Sequence, residues 1–252
     1  MLDPTAMTRP QRQAVGIDVG IRGITSPEDV ARRLRISISP YVVLHGYWNR
    51  SMALIARAEV VAALDQCSET GEGMDRRRLG ATVPFPLSRR FEADPYLLEV
   101  ARSHLRRRVN VKAQAGLTLA GECSGGGWHK DTMTRGIKAL MYLDDVDSSN
   151  GPFAMLRNYH GQNLAWSPDA VSGALRRLNS SVVDAACAKS RARVDELHAS
   201  MGSVVIFEIS SAHRGMPCRR GQRASLTNYY KVMKRNTTCA SGRTASGPFV
   251  RG

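Results

Sequence analysis

The sequence predicts a mainly β fold with flanking helices, the helices packed outside an antiparallel barrel or sandwich. Three observations carry this expectation. Apolar residues recur at helical spacing in the first part of the chain, and short β-like runs follow one another from Val109 onward. Strands and helices do not alternate, as a parallel dinucleotide-binding sheet requires. Gly125-Gly126-Gly127 is followed by Trp128 and His129, without the Lys-Ser/Thr that a phosphate loop needs.

The elements read in order as follows. Residues 1–25 lack periodicity and are expected to form a loosely held arm. In Ser26-Pro27-Glu28-Asp29 an N-cap, a proline at the first helical position and first-turn acids start a helix through Leu34. Tyr41 to Leu44 reads as a strand. Asn49 caps the next helix, whose stripe of Met52, Ile55, Ala56, Val60 and Leu64 faces a core. Residues 71–90, rich in Gly, Pro and Arg, read as a long loop. Asp94-Pro95 opens a helix to about Arg108, with Leu97, Leu98, Ala101 and Leu105 on one face. Residues 26–108 are thus a helical support. The β-like runs are Val109 to Ala120, Ile137 to Leu143, Pro152 to Leu156, Ser203 to Ile209 and Arg223 to Val232. They make a barrel over 109–232, interrupted by a helical Ser/Ala/Arg-rich insertion at 167–200. A Gly/Ser/Thr-rich tail, expected to be mobile, covers 236–252.

Composition bounds the class. A chain of 252 residues with 42% hydrophobic and 23% charged residues is expected to form one globular domain over 1–252. Its most apolar helical segment, Met52 to Leu64, is interrupted by Arg57 and Glu59, so no membrane partner is expected. With no signal-peptide pattern at the N-terminus, a cytoplasmic location is the default expectation. The five cysteines are scattered and lack a C-x-x-C pair, which reads as reduced thiols rather than a disulfide framework or zinc site. The 36 Lys and Arg outnumber the 22 Asp and Glu, giving a net charge of +14. That excess raises a polyanion as partner, but the basic residues form separate short clusters on different elements. With only 6% aromatic residues, the interleaving that single-strand binders use is also lacking. An anionic small molecule remains compatible with the charge.

His129 and Asp131 stand two apart, so in a strand both side chains point to one face. An imidazole and a carboxylate aimed at one point are two-thirds of a 2-His-1-carboxylate facial triad, which leaves coordination positions open for a co-substrate and oxygen. The best third ligand is His213, which follows the apolar run Val204-Val205-Ile206-Phe207 and precedes Gly215. His160 is the rival, without an arginine at the right distance after it. Arg223, Ser225 and Thr227 share a strand face, where a guanidinium fork and a hydroxyl suit a carboxylate. Ser225 reads equally well as an ordinary strand serine. Lys138 shares its parity with Leu140 and Tyr142, and parity alone does not say which face is inward. Packing is the expected role of Trp128. His45, His104 and His198 have no partner pattern.

From 109 to 230 the chain resembles the phytanoyl-CoA dioxygenase-like family of Fe(II)/2-oxoglutarate-dependent oxygenases. The resemblance rests on Gly126-Gly127-Trp128-His129-Lys130-Asp131, on Ile137 to Val146 and on Asn150-Gly151-Pro152-Phe153. It continues in Gly202 to Phe207, His213-Arg214-Gly215 and Arg223-Ala224-Ser225-Leu226. It implies a double-stranded β-helix (jelly-roll, cupin-like) barrel in which His129, Asp131 and His213 are catalytic and hold Fe(II). Arg223 then binds the C5 carboxylate of 2-oxoglutarate, with Ser225 and Lys138 as further candidate contacts. O2 is the second co-substrate, and the reaction implied is hydroxylation of an unactivated carbon of a small metabolite, with succinate and CO2 as co-products. Halogenating relatives replace the carboxylate ligand by a small residue, so Asp131 favours hydroxylation, desaturation or ring formation over chlorination. One departure stands out: Arg157-Asn158-Tyr159-His160 occupies the place of a Pro-Gly-Ser-His corner. The alternatives are a cupin-type metalloenzyme without 2-oxoglutarate and a non-enzymatic basic nucleic-acid-binding protein.

Overall fold

A computed structural model describes residues 17–20, 26–36, 40–65, 76–79, 85–131, 135–157, 176–189 and 192–233. The helical support begins with α1 (Pro27–Ile36), and α2 (Arg50–Leu64) is capped as expected, the Asn49 side chain accepting from the Met52 N–H. After them come α3 (Pro86–Glu92) and α4 (Pro95–Leu105), where Asp94 accepts from the Leu97 N–H. α4 stops three residues before the expected Arg108 because Arg106 turns into the left-handed region at φ 52°. The α2 stripe is slightly rotated: Ala53, Ala56, Val60, Ala63 and Leu64 are buried, while Ile55 is 57% exposed.

Two sheets form the body of the molecule. The larger contains β1 (Ile17–Gly20), β2 (Tyr41–His45), β3 (Arg76–Leu79), β4 (Val109–Leu119), β6 (Gly136–Tyr142), β10 (Val204–Glu208) and β12 (Gln222–Val232), in the order β1-β2-β10-β6-β12-β4-β3. The smaller contains β5 (His129–Lys130), β7 (Phe153–Arg157), β8 (Arg176–Arg177), β9 (Arg193–Leu197) and β11 (His213–Gly215), in the order β8-β5-β11-β7-β9. Among the described residues, every strand pairing is antiparallel except that of β1 with β2. The sheets are packed layers and do not close into a continuous barrel.

Period two divides each large-sheet strand between two tasks. Ile137, Ala139 and Met141 of β6, with Ala224 and Leu226 of β12 and Val204 and Ile206 of β10, pack against α1, α2 and α4 through Val30, Val60 and Val100. Their neighbours Leu140, Tyr142, Val205 and Phe207 face the small sheet, meeting Phe153 and Met155. Strands buried on both faces read as continuous apolar runs, which is why β6 and β10 lack alternation in the sequence.

Three expectations need correction. Residues 71–90 are not one long loop: β3 pairs with β4 from Arg76↔Leu117 to Leu79↔Gln114, and Pro86 starts α3 at its first turn. Arg-Arg-Arg-Leu lacks the alternation that marks a half-buried strand. Among the described residues of the insertion at 167–200, α5 (Ser180–Lys189) is helical, while β9 belongs to the small sheet, pairing with β7 from Phe153↔Leu197 to Arg157↔Arg193. β9 is largely exposed, so its polar sequence carried no burial signal. Within the arm, Ile17–Gly20 forms β1 on the edge of β2. The rest of 1–25, His160 and the tail 236–252 lie outside the described residues.

Candidate metal centre

The two histidines of the candidate centre come from neighbouring interior strands of the small sheet, and Asp131 follows one of them. Gly127, at φ 101°, makes a turn open to few residues other than glycine, and β5 leaves it with His129. β11 pairs with β5 so that His213 stands directly across from His129, and cross-strand partners project on the same face. Asp131 follows β5, its N–H donating to the Ile209 carbonyl just beyond β10. Gly215 lets β11 approach this turn, since a Cβ there would lie 2.6 Å from Ser124 Cβ and 2.9 Å from Ser124 O.

The three side chains converge. Ligand atoms of His129, Asp131 and His213 lie within 4.8 Å of one another, with His129 Nε2 3.4 Å and His213 Nε2 3.5 Å from Asp131 Oδ1. The Nδ1 of His129 is 2.8 Å from Gly127 O, and that of His213 is 2.8 Å from Ser211 O. A carbonyl only accepts, so each Nδ1 carries the proton and each Nε2 presents a lone pair to the shared point. Burial, reinforced by His129, pushes the His213 imidazole down to about 4, keeping it in the neutral form a metal needs. Phe153 and Phe207 wall the His213 ring at 5.3 and 5.1 Å.

Lys138 is on the cavity side of β6 and is fully committed there. Its Nζ is 2.6 Å from Asp131 Oδ2 and 4.4 Å from the Tyr229 ring centroid. Burial opposes ionisation of Asp131, but the Lys138 ammonium beside it outweighs that cost, and the carboxyl is held well below its usual range. Burial likewise opposes the Lys138 charge, and the Tyr229 oxygen and Asp131 carboxylate more than offset it, holding its pKa above the ordinary value. Lys138 therefore meets the carboxylate of the candidate triad.

Arg223 enters the same cavity from β12 and is 3% exposed. One nitrogen, Nη2, donates to Thr118 Oγ1 at 3.2 Å, while Nε and Nη1 are buried without a hydrogen-bond partner. Buried guanidinium donors are ordinarily paired, so this fork fits a carboxylate that would enter the cavity. Ser225 and Thr227 share the Arg223 face and line the cavity with it. The cavity measures about 260 Å³. The sequence reading missed Gln114, Ser124, Phe153, Phe207, Arg177 and Tyr229 as lining residues. Tyr229 was within reach, since it extends the period-two row of Arg223, Ser225 and Thr227. Arg177, on the short strand β8, carried no signal at all. Trp128 packs with Ala154, Leu156 and Val183, as expected, away from the cavity.

Among solved structures the chain is similar to the epimerase SnoN in complex with Fe3+, alpha ketoglutarate and nogalamycin RO, at TM-score 0.63 and 16% identity over 82% of this chain and 83% of that one. It is also similar to HygX from Streptomyces hygroscopicus with nickel, 2-oxoglutarate and hygromycin B bound, at TM-score 0.62 and 17% identity over 80% and 87%. A third is EctD from S. alaskensis with bound Fe, at TM-score 0.61 and 17% identity over 83% and 78%. The chain has the double-stranded β-helix fold of these proteins. No family model and no curated protein matches the sequence. At these identities the likeness establishes the fold, and the chemistry is argued from the residues of this chain.

Proposed function

We propose that the protein is an Fe(II)- and 2-oxoglutarate-dependent oxygenase that hydroxylates an unactivated carbon of a small metabolite, with succinate and CO2 as co-products. The observation that carries this reading is the presence, in one buried cavity, of the His129-Asp131-His213 cluster and a guanidinium with two unpartnered donors. Iron bound with 2-oxoglutarate supplies the activation of O2 and the oxidising power. His129 and His213 hold the metal through Nε2, each ring oriented by its carbonyl contact. Asp131 contributes its Oδ1 side, while Lys138 keeps the other oxygen engaged. Arg223 receives the distal carboxylate of 2-oxoglutarate, with Ser225 beside it. Phe153, Phe207 and Leu140 exclude water from the metal face. The motif text from Gly126 to Leu226 supports the phytanoyl-CoA dioxygenase-like branch within this superfamily.

The test is anaerobic titration of the purified protein with Fe(II) and 2-oxoglutarate, following the weak visible charge-transfer band of the chelate. The band is expected in the wild type and absent in His129→Ala. Metal binding without a band, unaltered in Arg223→Ala, would favour instead a cupin-type metalloenzyme that does not use 2-oxoglutarate.

A further inference from the structure

Gln114 lines the cavity from β4, and strand geometry separates it from the co-substrate end. Thr118, which accepts from Arg223 Nη2, lies four residues further along the same face of β4, about 13 Å away at strand spacing. Gln114 stands across from Thr227 of β12, whose neighbour on the same face, Tyr229, stands across from Lys138 of β6. Gln114 therefore belongs to the end of the cavity where Lys138 meets Asp131. The oxygenase reading uses the other end, at Arg223, for the distal carboxylate, and leaves Gln114 without a role.

A directed chain of polar groups ends at this carboxamide. Lys138 Nζ lies 2.6 Å from Asp131 Oδ2 and 4.4 Å from the centroid of the Tyr229 ring. The Tyr229 hydroxyl donates in turn to Gln114 Oε1 at 2.8 Å. The direction follows from the groups themselves. An ammonium donates and never accepts, so the phenol proton finds no acceptor at Lys138 and goes to the carboxamide oxygen. With Oε1 turned toward Tyr229, the other branch of the amide presents Nε2 and its two N–H donors. Gln114 is 8% exposed, and among the described residues its Nε2 has no hydrogen-bond partner. Donation into Oε1 polarises the amide and strengthens those N–H groups as donors. A buried donor without a partner destabilises the empty protein, and a ligand that brings an acceptor removes that cost.

We propose that Gln114 is a specificity-determining residue of the site, its Nε2 donating to an uncharged oxygen acceptor of the substrate, a carbonyl or an ether, and so fixing which carbon faces the metal. The proposal rests on the oxygenase reading for what occupies the metal and Arg223. A carboxamide brings donors without charge, so the acceptor it suits is neutral. Leu140, Phe153 and Phe207 line the same cavity and suit an apolar body. The substrate class is thus an apolar molecule carrying a carbonyl or ether oxygen near the carbon that reacts.

Acetophenone and α-methylstyrene, which exchange a carbonyl oxygen for a methylene within one shape, serve as probes. Protein loaded anaerobically with Fe(II) and saturating 2-oxoglutarate is titrated with each, and binding is followed by the relaxation of the ligand protons in NMR spectra. The charge-transfer band shows that metal and co-substrate stay in place. The affinity ratio of ketone to hydrocarbon is compared between the wild type and Gln114→Glu, so that the different hydration of the two probes cancels. Gln114→Glu keeps an acceptor for Tyr229 and turns an oxygen, in place of Nε2, toward the ligand. The ratio is expected to fall about tenfold or more, through the loss of one hydrogen bond and the facing of two acceptors. If the band is lost in Gln114→Glu, Gln114→Met decides, with a fall of about three- to tenfold expected. A ratio that stays within about twofold of the wild type in the deciding variant, or a wild type that does not bind acetophenone, would overturn the proposal. A band absent from the wild type removes the oxygenase reading instead, and the same comparison on metal-loaded protein still decides the role of Gln114.

Discussion

Replacing Arg223 separates a residue kept for binding from one kept for stability, because the two roles predict opposite signs. In Arg223→Met the cavity loses the Nε and Nη1 donors, which have no partner within the protein, and the single Nη2 contact to Thr118 at 3.2 Å. If those donors hold the distal carboxylate of 2-oxoglutarate, two charge-assisted hydrogen bonds at roughly 1.5–3 kcal/mol each are lost. Together about 3–6 kcal/mol, this corresponds to a weakening of roughly two to four and a half powers of ten. The protein without co-substrate responds the other way. A buried cation whose donors are unmatched costs stability, and an apolar side chain of similar volume removes that cost. Arg223→Met is therefore expected to be at least as stable as the wild type in urea, with metal affinity close to unchanged. Calorimetric titration of 2-oxoglutarate into metal-loaded protein, beside urea denaturation of both apoproteins, makes the measurement. A variant that unfolds several kcal/mol earlier yet binds 2-oxoglutarate within threefold of the wild type would refute the reasoning and make Arg223 a structural residue.

Lys138→Met leaves the Asp131 carboxylate buried without its 2.6 Å partner, and metal affinity is expected to fall about 10- to 100-fold by calorimetry, as for other groups supporting a ligand. Gly215→Ala places a Cβ 2.6 Å from Ser124 Cβ and 2.9 Å from its carbonyl oxygen, so the turn before His129 must move. Weaker metal binding with little change in overall secondary structure is the result expected from circular dichroism and metal titration. Glu208 pairs with the buried His104, and that contact, working against burial, lowers its pKa. A carboxylate whose folded pKa is depressed contributes stability above its unfolded value, near 4.5, and loses it as pH falls through the folded value. Glu208→Gln is expected to cost roughly 1–3 kcal/mol near neutral pH, and the difference should close on acidification. Met141→Ala, in the core between β6 and the helices, is expected to cost about 2–5 kcal/mol in urea denaturation.

What the sequence disclosed, and what it hid, divides along physical lines. The caps at Asn49 and Asp94 and the run of strands from Val109 were legible because capping and apolar pattern are local properties. The His129, Asp131 and His213 cluster was legible because a spacing of two fixes a common face, and an apolar strand places the residue after it at an edge. Edge strands were not. β3 and β9 are paired on one side only and carry arginines and acids where an interior strand would carry valine. The inward face of Lys138 was also hidden, since β6 is buried on both sides and its alternation has no solvent face to betray it. The structure resolves the ambiguity of the face: the Lys138 ammonium points into the cavity and lies 2.6 Å from Asp131 Oδ2.

The distribution of unmet polar groups argues for function independently of any resemblance. Among the described residues, eight buried side-chain nitrogen or oxygen atoms lack a hydrogen-bond partner, and four of them belong to Asp131, His213 and Arg223. One of the four, Asp131 Oδ2, still faces Lys138 as an ion pair. Folding alone would not gather such atoms in one place, because each costs about 1–3 kcal/mol if left unmatched. The opposite faces of the same strands are apolar and packed on the helices. Two neighbouring residues of β12 thus serve different ends: Ala224 contributes to the core that holds the sheet rigid, and Arg223 depends on that rigidity to keep its fork aimed into the cavity. A cavity that joins lone pairs on two imidazoles, an ionised carboxylate and unpartnered cationic donors is complementary to a cation and an anion together, which is the demand a metal chelated by an acidic co-substrate makes.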